Sequence, residues 1–578
     1  MMRTMMSLLM AGASLAIAPP AMADRYPLQH GLQVRDYAFD IALSEESDDI
    51  RVNETVEVSF LADGLKAIDL DLCNVVAASA KPDPLEPCEA TERQNTDLGP
   101  GSGPVPGVGR GMTMISATAG GTPLRFTHIG NRLHLTLPQP SRKGGRLAID
   151  LAYHGVPAAG LFIGKNKYGD RVFFSDSWPN RARNWLATVD HISAKATKTV
   201  TVTAPSHYQV ISNGLETRVA DLPGGLRATT WREAVPIPSW QFSLGVAPMT
   251  VTRFDQVRGV DFAAWLAPQN QAADLSQAEA TSRAAFDFYS DYIGPYAFEK
   301  LAHVDATGGR GAMELATSIF YFGDFRAMAH EMAHQWFGNA VTEATWDDVW
   351  LSEGFATYFD LLFTEHSRGH DTFLTSLRRG RDGAVKYALA HPDSTVVHRD
   401  LARDSEVLGN APQIYAGGAM VLRTLNGVLG DRVFRAGIRS YYARHVNGLA
   451  TSDDLRLAME DACRADSGCE SENNDLTWFF DQWLRRGGVP QVQGTWRYDP
   501  TRKVLEVAFT QTQKQGLYRL PTELAVSLPG VAGERRFKLV IDAPNTKLAF
   551  RLDAAPQDVA LDPDTWTPML KADVTQAR

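Results

Sequence analysis

Two stretches decide how this chain folds and what it can hold: Ala329-His330-Glu331-Met332-Ala333-His334, and then Trp350-Leu351-Ser352-Glu353-Gly354-Phe355-Ala356-Thr357-Tyr358. Histidines at i and i+4 of a helix stand on one face, so both imidazoles can reach a single metal ion. Met328, Met332 and Trp336 form a separate apolar stripe that would bury this helix, and Asp324 is placed to cap it. Eighteen residues separate His334 from Glu353. The second stretch reads as another helix, with Leu351, Phe355, Tyr358 and Leu362 on its core face and Asp347 or Asp348 near its start. Glycine inside a helix costs about 1 kcal/mol relative to alanine, so Gly354 wants a reason; a close approach to the first helix would supply it. Two imidazoles and one carboxylate leave zinc a fourth position for water, which is the catalytic arrangement rather than the closed structural one. The bland alternative is a pair of core or surface histidines that share this spacing by chance.

With a metal at His330, His334 and Glu353, the neighbouring Glu331 is placed to take a proton from water and hand it to a leaving amine. Hydrolysis of an amide passes through a tetrahedral oxyanion, which needs a donor opposite the base. Spacing does not name that donor.

The rest of the chain sets bounds. At 578 residues it exceeds what one core supports. Apolar residues are 44% and charged residues 21%, which excludes a disordered chain, a collagen and a disulfide miniprotein. A formal charge of −10 without a dense basic run leaves no electrostatic footprint for nucleic acid. Met1-Met2-Arg3, the apolar Leu8 to Ile17 and Ala21-Met22-Ala23 have the pattern of a secretory signal, cleaved near Ala23. No later segment is apolar for long enough to span a bilayer. The expected protein is therefore exported, periplasmic or secreted. In an oxidising compartment the four cysteines are expected as two local disulfides, Cys73 with Cys88 and Cys463 with Cys469, with buried thiols as the alternative.

A β-rich pattern runs from Asp24 to about Pro268, with alternating runs such as Val52 to Phe60 and Thr199 to Thr203, interrupted by a Gly/Pro-rich loop at Gly99 to Gly111. Asp274 can cap a helix with Ala285, Phe288, Tyr289 and Tyr292 on one face, and short strands follow near Leu301–Val304 and Met313–Tyr321. Helical signals dominate from Asp324 to Arg486, where Gly487-Gly488 stops them; alternating strands then continue to Ala560. The expected architecture is multidomain α+β. It comprises a signal peptide over 1–23, an N-terminal β domain over 24–268, a catalytic α/β domain over 269–488 and a small C-terminal β-sandwich over 489–570.

Gly311-Ala312-Met313-Glu314, the His330–His334 motif, Trp350 to Ala356 and Tyr415-Ala416-Gly417-Gly418-Ala419 together resemble the aminopeptidase N and leukotriene hydrolase family of zinc peptidases, the gluzincins. Trp178-Pro179 with Arg181, Arg183 and Trp185, then Val189-Asp190 and Lys195-Ala196, is similar to that family's first-domain signature. Trp478-Phe479-Phe480 through Trp483 and Gly488-Val489-Pro490 resembles its helix-to-sandwich junction. The resemblance implies a saddle-like N-terminal β-sandwich, a thermolysin-like catalytic domain and one zinc per chain. It also implies an aminopeptidase acting on peptides with free N-termini. Glu314 would hold the substrate's α-ammonium, Tyr415 would donate to the oxyanion, and Gly311, Ala312 and Met313 would run as an edge strand beside the bound peptide.

The chain departs from the family pattern at four places. Leu315 stands where the family has Asn, Gly417 where it has Lys, only 15 residues separate Glu314 from His330, and Asp176 takes the place of an amine-contacting Gln. Nothing past about Pro568 can form the helical domain that closes the cavity in larger members, so a short bacterial-type chain with a more open cleft is expected. Two other functions share these residues. A thermolysin-like endopeptidase would use the same ligands without Glu314, and a catalytically silent peptide-binding protein would keep zinc as a scaffold.

Overall fold

The computed structural model describes residues 26, 28–75, 109–270, 275–306, 311–323, 325–399, 401, 403–469, 474–570 and 573–577. The expected signal peptide, Cys88, most of the Gly99–Gly111 loop and the expected helix caps Asp274 and Asp324 lie outside them.

The N-terminal part is built on an eight-stranded sheet. Its order is Leu215–Leu222, Leu226–Ile237, Ala196–Pro205, Leu32–Ala42, Ile50–Phe60, Arg146–Val156, Gly111–Ala119 and Thr122–Pro123. Alternation dictates the facing: Ile50, Val52, Val56, Val58 and Phe60 are buried, while Arg51, Asn53 and Glu57 face out. Glu54 breaks the rule on the inward face, and its carboxylate accepts a hydrogen bond from Tyr153 Oη at 2.6 Å. A four-stranded sheet (Gln209–Ser212, Leu244–Ala247, Arg171–Ser175, Leu161–Lys165) and a three-stranded one (Ala67–Asp71, Arg132–Thr136, Phe126–Ile129) complete this part.

A five-stranded mixed sheet follows, in the order Thr250–Arg253, Asp261–Leu266, Lys300–Asp305, Ser318–Tyr321, Ala312–Met313. Asp261–Leu266 pairs in parallel with Lys300–Asp305, and the helix Ser276–Tyr292 makes the crossover. The expected division at 268 therefore falls inside one sheet, and we place the junction just before Thr250 instead. The strand expected over Met313–Tyr321 is in fact two strands, Ala312–Met313 and Ser318–Tyr321, folded back antiparallel. Thr317, with φ of +65°, sits in the turn between them.

The helical part carries Met328–His334, here the histidine helix, and Trp350–Arg368, the glutamate helix, which pack on each other. Met328, Met332 and Trp336 are buried as the stripe predicts, although the helix itself ends at His334. Leu351, Phe355, Tyr358 and Leu362 are buried on the glutamate helix. Asp347 and Asp348 lie just before its start, as expected; Asp347 Oδ1 accepts from Leu401 N, and Asp348 accepts from Ser452. Helices at His370–Ala390 and Gly418–Leu429 pack on the glutamate helix, and Asp431–His445 and Ser452–Arg464 follow.

The chain ends in two facing sheets, Asn545–Arg551 with Val504–Gln511, Val492–Asp499 and Val574–Gln576, and Glu534–Ile541 with Leu520–Ser527 and Asp558–Leu561. Leu505, Val507 and Phe509 point into the core, as alternation requires. Cys463 and Cys469 form a disulfide. Cys73 is buried with its Sγ 2.6 Å from Asn131 Oδ1. Among the described residues no helix is long and apolar enough to cross a membrane.

Candidate functional site

The histidine and glutamate helices cross so that three side chains meet. His334 Nε2 lies 3.1 Å from His330 Nε2 and 3.2 Å from Glu353 Oε2, and His330 Nε2 lies 3.4 Å from the same oxygen. Ligand atoms at 2.0–2.2 Å from a tetrahedral zinc stand about 3.3 Å from each other, so this spacing fits such an ion. Glu353 Oε2 is buried and takes no well-aligned hydrogen bond. A buried carboxylate oxygen facing two imidazole nitrogens is a costly arrangement unless positive charge balances it, from a shared metal ion or from a protonated ring.

The other atoms of the ligand set are held from behind. His334 Nδ1 stands 2.9 Å from Ser352 Oγ, which fixes the ring and turns Nε2 toward the carboxylate. Glu353 Oε1 accepts from Tyr415 Oη at 2.7 Å. Tyr415 lies on a single π-helical turn, Gln413–Gly417, and its ring stacks on His330 with centroids 6.1 Å apart. Such turns recur at functional sites because they aim one side chain without breaking the helix.

Gly354 finds its reason here, though not against the histidine helix. A Cβ at Gly354 would meet Gly418 Cα at 2.9 Å and Ile414 O at 3.1 Å. The glycine lets the glutamate helix touch the segment that carries Tyr415.

Glu314 and Glu331 are both buried, and each offers an oxygen within 4.8 Å of the other and of a His334 nitrogen. The short 15-residue connection therefore still brings Glu314 to the histidine helix. Burial pushes the Glu314 carboxyl up to about 7; the His334 charge opposes this, and Glu353 and Glu331 add to it. Burial also raises Glu331, against the pull of His330 and His334. For His334 burial acts downward, but Glu314 and Glu353 outweigh it and lift the ring to about 10 in the absence of a metal. Burial, reinforced by the Glu353 charge, raises the Tyr415 hydroxyl well above its ordinary value, so it remains a proton donor.

Ala312–Met313 forms one edge of the five-stranded sheet, and Gly311, exposed with φ of +87°, lies just before the strand rather than in it. Leu315 is fully buried. A side chain at Gly417 would begin 3.0 Å from Gln413 Oε1. Asp176 is already engaged: both its oxygens accept from Arg181 Nη2 at 3.0 Å. Sequence reasoning missed Ser352, although it directly precedes Glu353; nothing in spacing distinguishes an orienting serine from a helical surface one.

The chain itself resembles known proteins over more than half of its length. Residues 278–483 match the peptidase family M1 domain, and residues 116–240 match the peptidase M1 N-terminal domain. Glutamyl aminopeptidase of Bitis rhinoceros is 27% identical over 350 residues, covering 57% of this chain and 35% of the relative. The chain thus spans about a third of that relative's length. Legionella pneumophila aminopeptidase A, solved with aspartic acid, superposes with a TM-score of 0.74 at 16% identity, over 95% of this chain and 60% of that one. An M1 zinc metallopeptidase from Deinococcus radiodurans superposes with a TM-score of 0.58 at 24% identity, over 75% of this chain and 90% of that one.

Proposed function

The chain belongs to peptidase family M1, and from that premise we propose that it is a zinc aminopeptidase that removes N-terminal residues from peptides with free amino termini. Its own residues divide the work. His330, His334 and Glu353 would hold one zinc per chain, which when bound supplies Lewis-acid polarisation of water and of the scissile carbonyl. Glu331, made more basic by burial, takes the water's proton and returns it to the leaving amine. Tyr415 keeps its proton and donates a hydrogen bond to the oxyanion. Ala312–Met313 offers its free backbone edge to the peptide. We also propose export after cleavage near Ala23.

One observation carries this reading above an endopeptidase: Glu314 is buried within reach of Glu331 and His334. Its carboxyl is held near neutral titration by burial and crowding, so an arriving ammonium stabilises its charge. A blocked terminus would leave that charge desolvated and unpaired, a loss of about 2–5 kcal/mol, or roughly 10²- to 10³-fold in kcat/KM.

The test is a panel of aminoacyl-amides, free and N-acetylated, with glutamyl and aspartyl members because a relative is a glutamyl aminopeptidase. Wild type, Glu331→Ala and Glu314→Ala are assayed with and without chelator. Glu331→Ala should abolish turnover with zinc still bound, and Glu314→Ala should erase the preference for free amines. Equal cleavage of blocked and free substrates by wild type would replace the aminopeptidase with an endopeptidase. No turnover by zinc-loaded wild type would leave a silent binding protein.

A further inference from the structure

Gln335 directly follows His334, and its side-chain amide reaches the turn that carries Glu314. Nε2 donates to the Glu314 carbonyl oxygen at 2.9 Å, and Oε1 accepts from Thr317 N at 3.0 Å. Each end meets a complementary backbone group, so chemistry fixes the orientation of this amide. Asn339 Nδ2 donates to the same Glu314 oxygen at 2.6 Å. Both side chains are fully buried. Two amides anchored just past the histidine helix therefore use both lone pairs of one carbonyl.

The turn is gripped from its far side too. Asn213 Nδ2 donates to Ala316 O at 2.6 Å, and Gly214 N and Lys300 Nζ donate to Thr317 Oγ1 at 2.9 and 3.1 Å. Thr317 occupies the left-handed region, which a β-branched residue rarely adopts and which persists only where its surroundings dictate it. From His334 to Glu314 the path is one peptide bond, one amide side chain and one hydrogen bond.

We propose that Gln335 and Asn339 are positioning residues that hold Glu314 at a fixed span from the metal-binding group, and so set how far into a peptide the enzyme reaches. With the amino end anchored at that span, the first peptide bond is the one presented for cleavage. The clamp rests on the reading of Glu314 as the amine anchor. It also accounts for Leu315, since the main chain of this turn is fixed by neighbouring amides without a polar side chain at that position.

A double-mutant cycle tests it. Gln335→Met keeps the length and removes both polar ends; Asn339→Ala removes the second donor. Each is made in wild type and in Glu314→Ala, with zinc content and thermal unfolding recorded. The readouts are the ratio of kcat/KM for free over N-acetylated aminoacyl-amide, split into kcat and KM, and calorimetric binding of a free-amine dipeptide to the Glu331→Ala chain. In wild type either substitution is expected to raise KM for the free amine, weaken dipeptide binding and lower the preference about tenfold with zinc retained. In Glu314→Ala the same substitutions should change the ratio no further. Equal falls in both backgrounds, or an unchanged preference in wild type, overturn the clamp while leaving Glu314 as anchor. If Glu314→Ala alone keeps the full preference, the anchor falls and the clamp with it. Should Gln335→Met not fold, Asn339→Ala carries the same comparison, since Gln335 still holds the carbonyl there.

Discussion

Replacing Gly354 with alanine probes the packing that ties the glutamate helix to Tyr415. On an isolated helix the change would help, because alanine is favoured over glycine by about 1 kcal/mol. Here the new methyl would lie 2.9 Å from Gly418 Cα, against an optimal carbon–carbon separation of about 3.5–4.0 Å, and 3.1 Å from Ile414 O. These neighbours are backbone atoms and cannot rotate away. The helices must part by roughly 0.6 Å or more, and overpacking of this kind costs about 1–3 kcal/mol, more than the propensity gain. The displaced partner is the turn that places Tyr415 Oη 2.7 Å from Glu353, so kcat should fall about ten- to a hundredfold. Gly383→Ala is the control: it lies exposed within the helix His370–Ala390 and a Cβ there meets nothing within 4 Å, so it should stabilise the fold by up to about 1 kcal/mol without touching kcat. Urea unfolding and steady-state kinetics on both variants read the outcome. A Gly354→Ala protein as stable as Gly383→Ala, with wild-type kcat, would refute the close-contact reasoning.

Tyr415→Phe, assayed at saturating zinc because the hydroxyl also supports Glu353, should keep substrate affinity but lose about 10²- to 10³-fold in kcat, as removal of an oxyanion donor does; a rise in KM with kcat unchanged would reassign the hydroxyl to binding. Ser352→Ala removes the partner of His334 Nδ1 and should weaken zinc binding about 10- to 100-fold, with activity restored by added zinc, as titration against a competing chelator would show. In the metal-free protein His334 is raised to about 10, so at pH 7 the ring is protonated and must give up that proton to bind. Zinc affinity should therefore rise with pH between 7 and 10, about tenfold per unit for each proton released, and calorimetry in buffers of differing ionisation enthalpy should detect that proton. An affinity flat over this window would contradict the charged cluster.

What could be read in the sequence was whatever repeats locally. The i, i+4 histidines, the alternation of Val52 to Phe60 and of Leu505 to Phe509, and the apolar face of Leu351, Phe355, Tyr358 and Leu362 follow from backbone periods, and each appears in the structure. Glu353 joined the histidines because the interval from His334 suited a second helix returning to the first. Glu314 and Tyr415 take their expected roles from resemblance alone, since a glutamate or a tyrosine has no periodic mark of its own. Contacts made across the fold stayed hidden. Gly354 announced a close approach without naming Gly418 as the partner, and the left-handed Thr317 split an apparent single strand in two. The sheet that begins at Thr250 depends on a parallel pairing across an intervening helix, which leaves no local trace at Pro268. The pairing of Asp176 with Arg181, five residues on, likewise has no mark in the sequence.

The sheet shared across the expected boundary has a bearing on how the molecule can be dissected. All six residues of Lys300–Asp305 are buried, and Asp261–Leu266 covers one flank of that strand. A fragment begun at residue 269 would lose this cover and bare a row of unmated amide and carbonyl groups, an invitation to self-association. Anyone wishing to express the catalytic half by itself should therefore start upstream of Thr250, and even then the tail of Lys195, which donates to Asn339 O, Ala340 O and Gly448 O, would be missing from its seat.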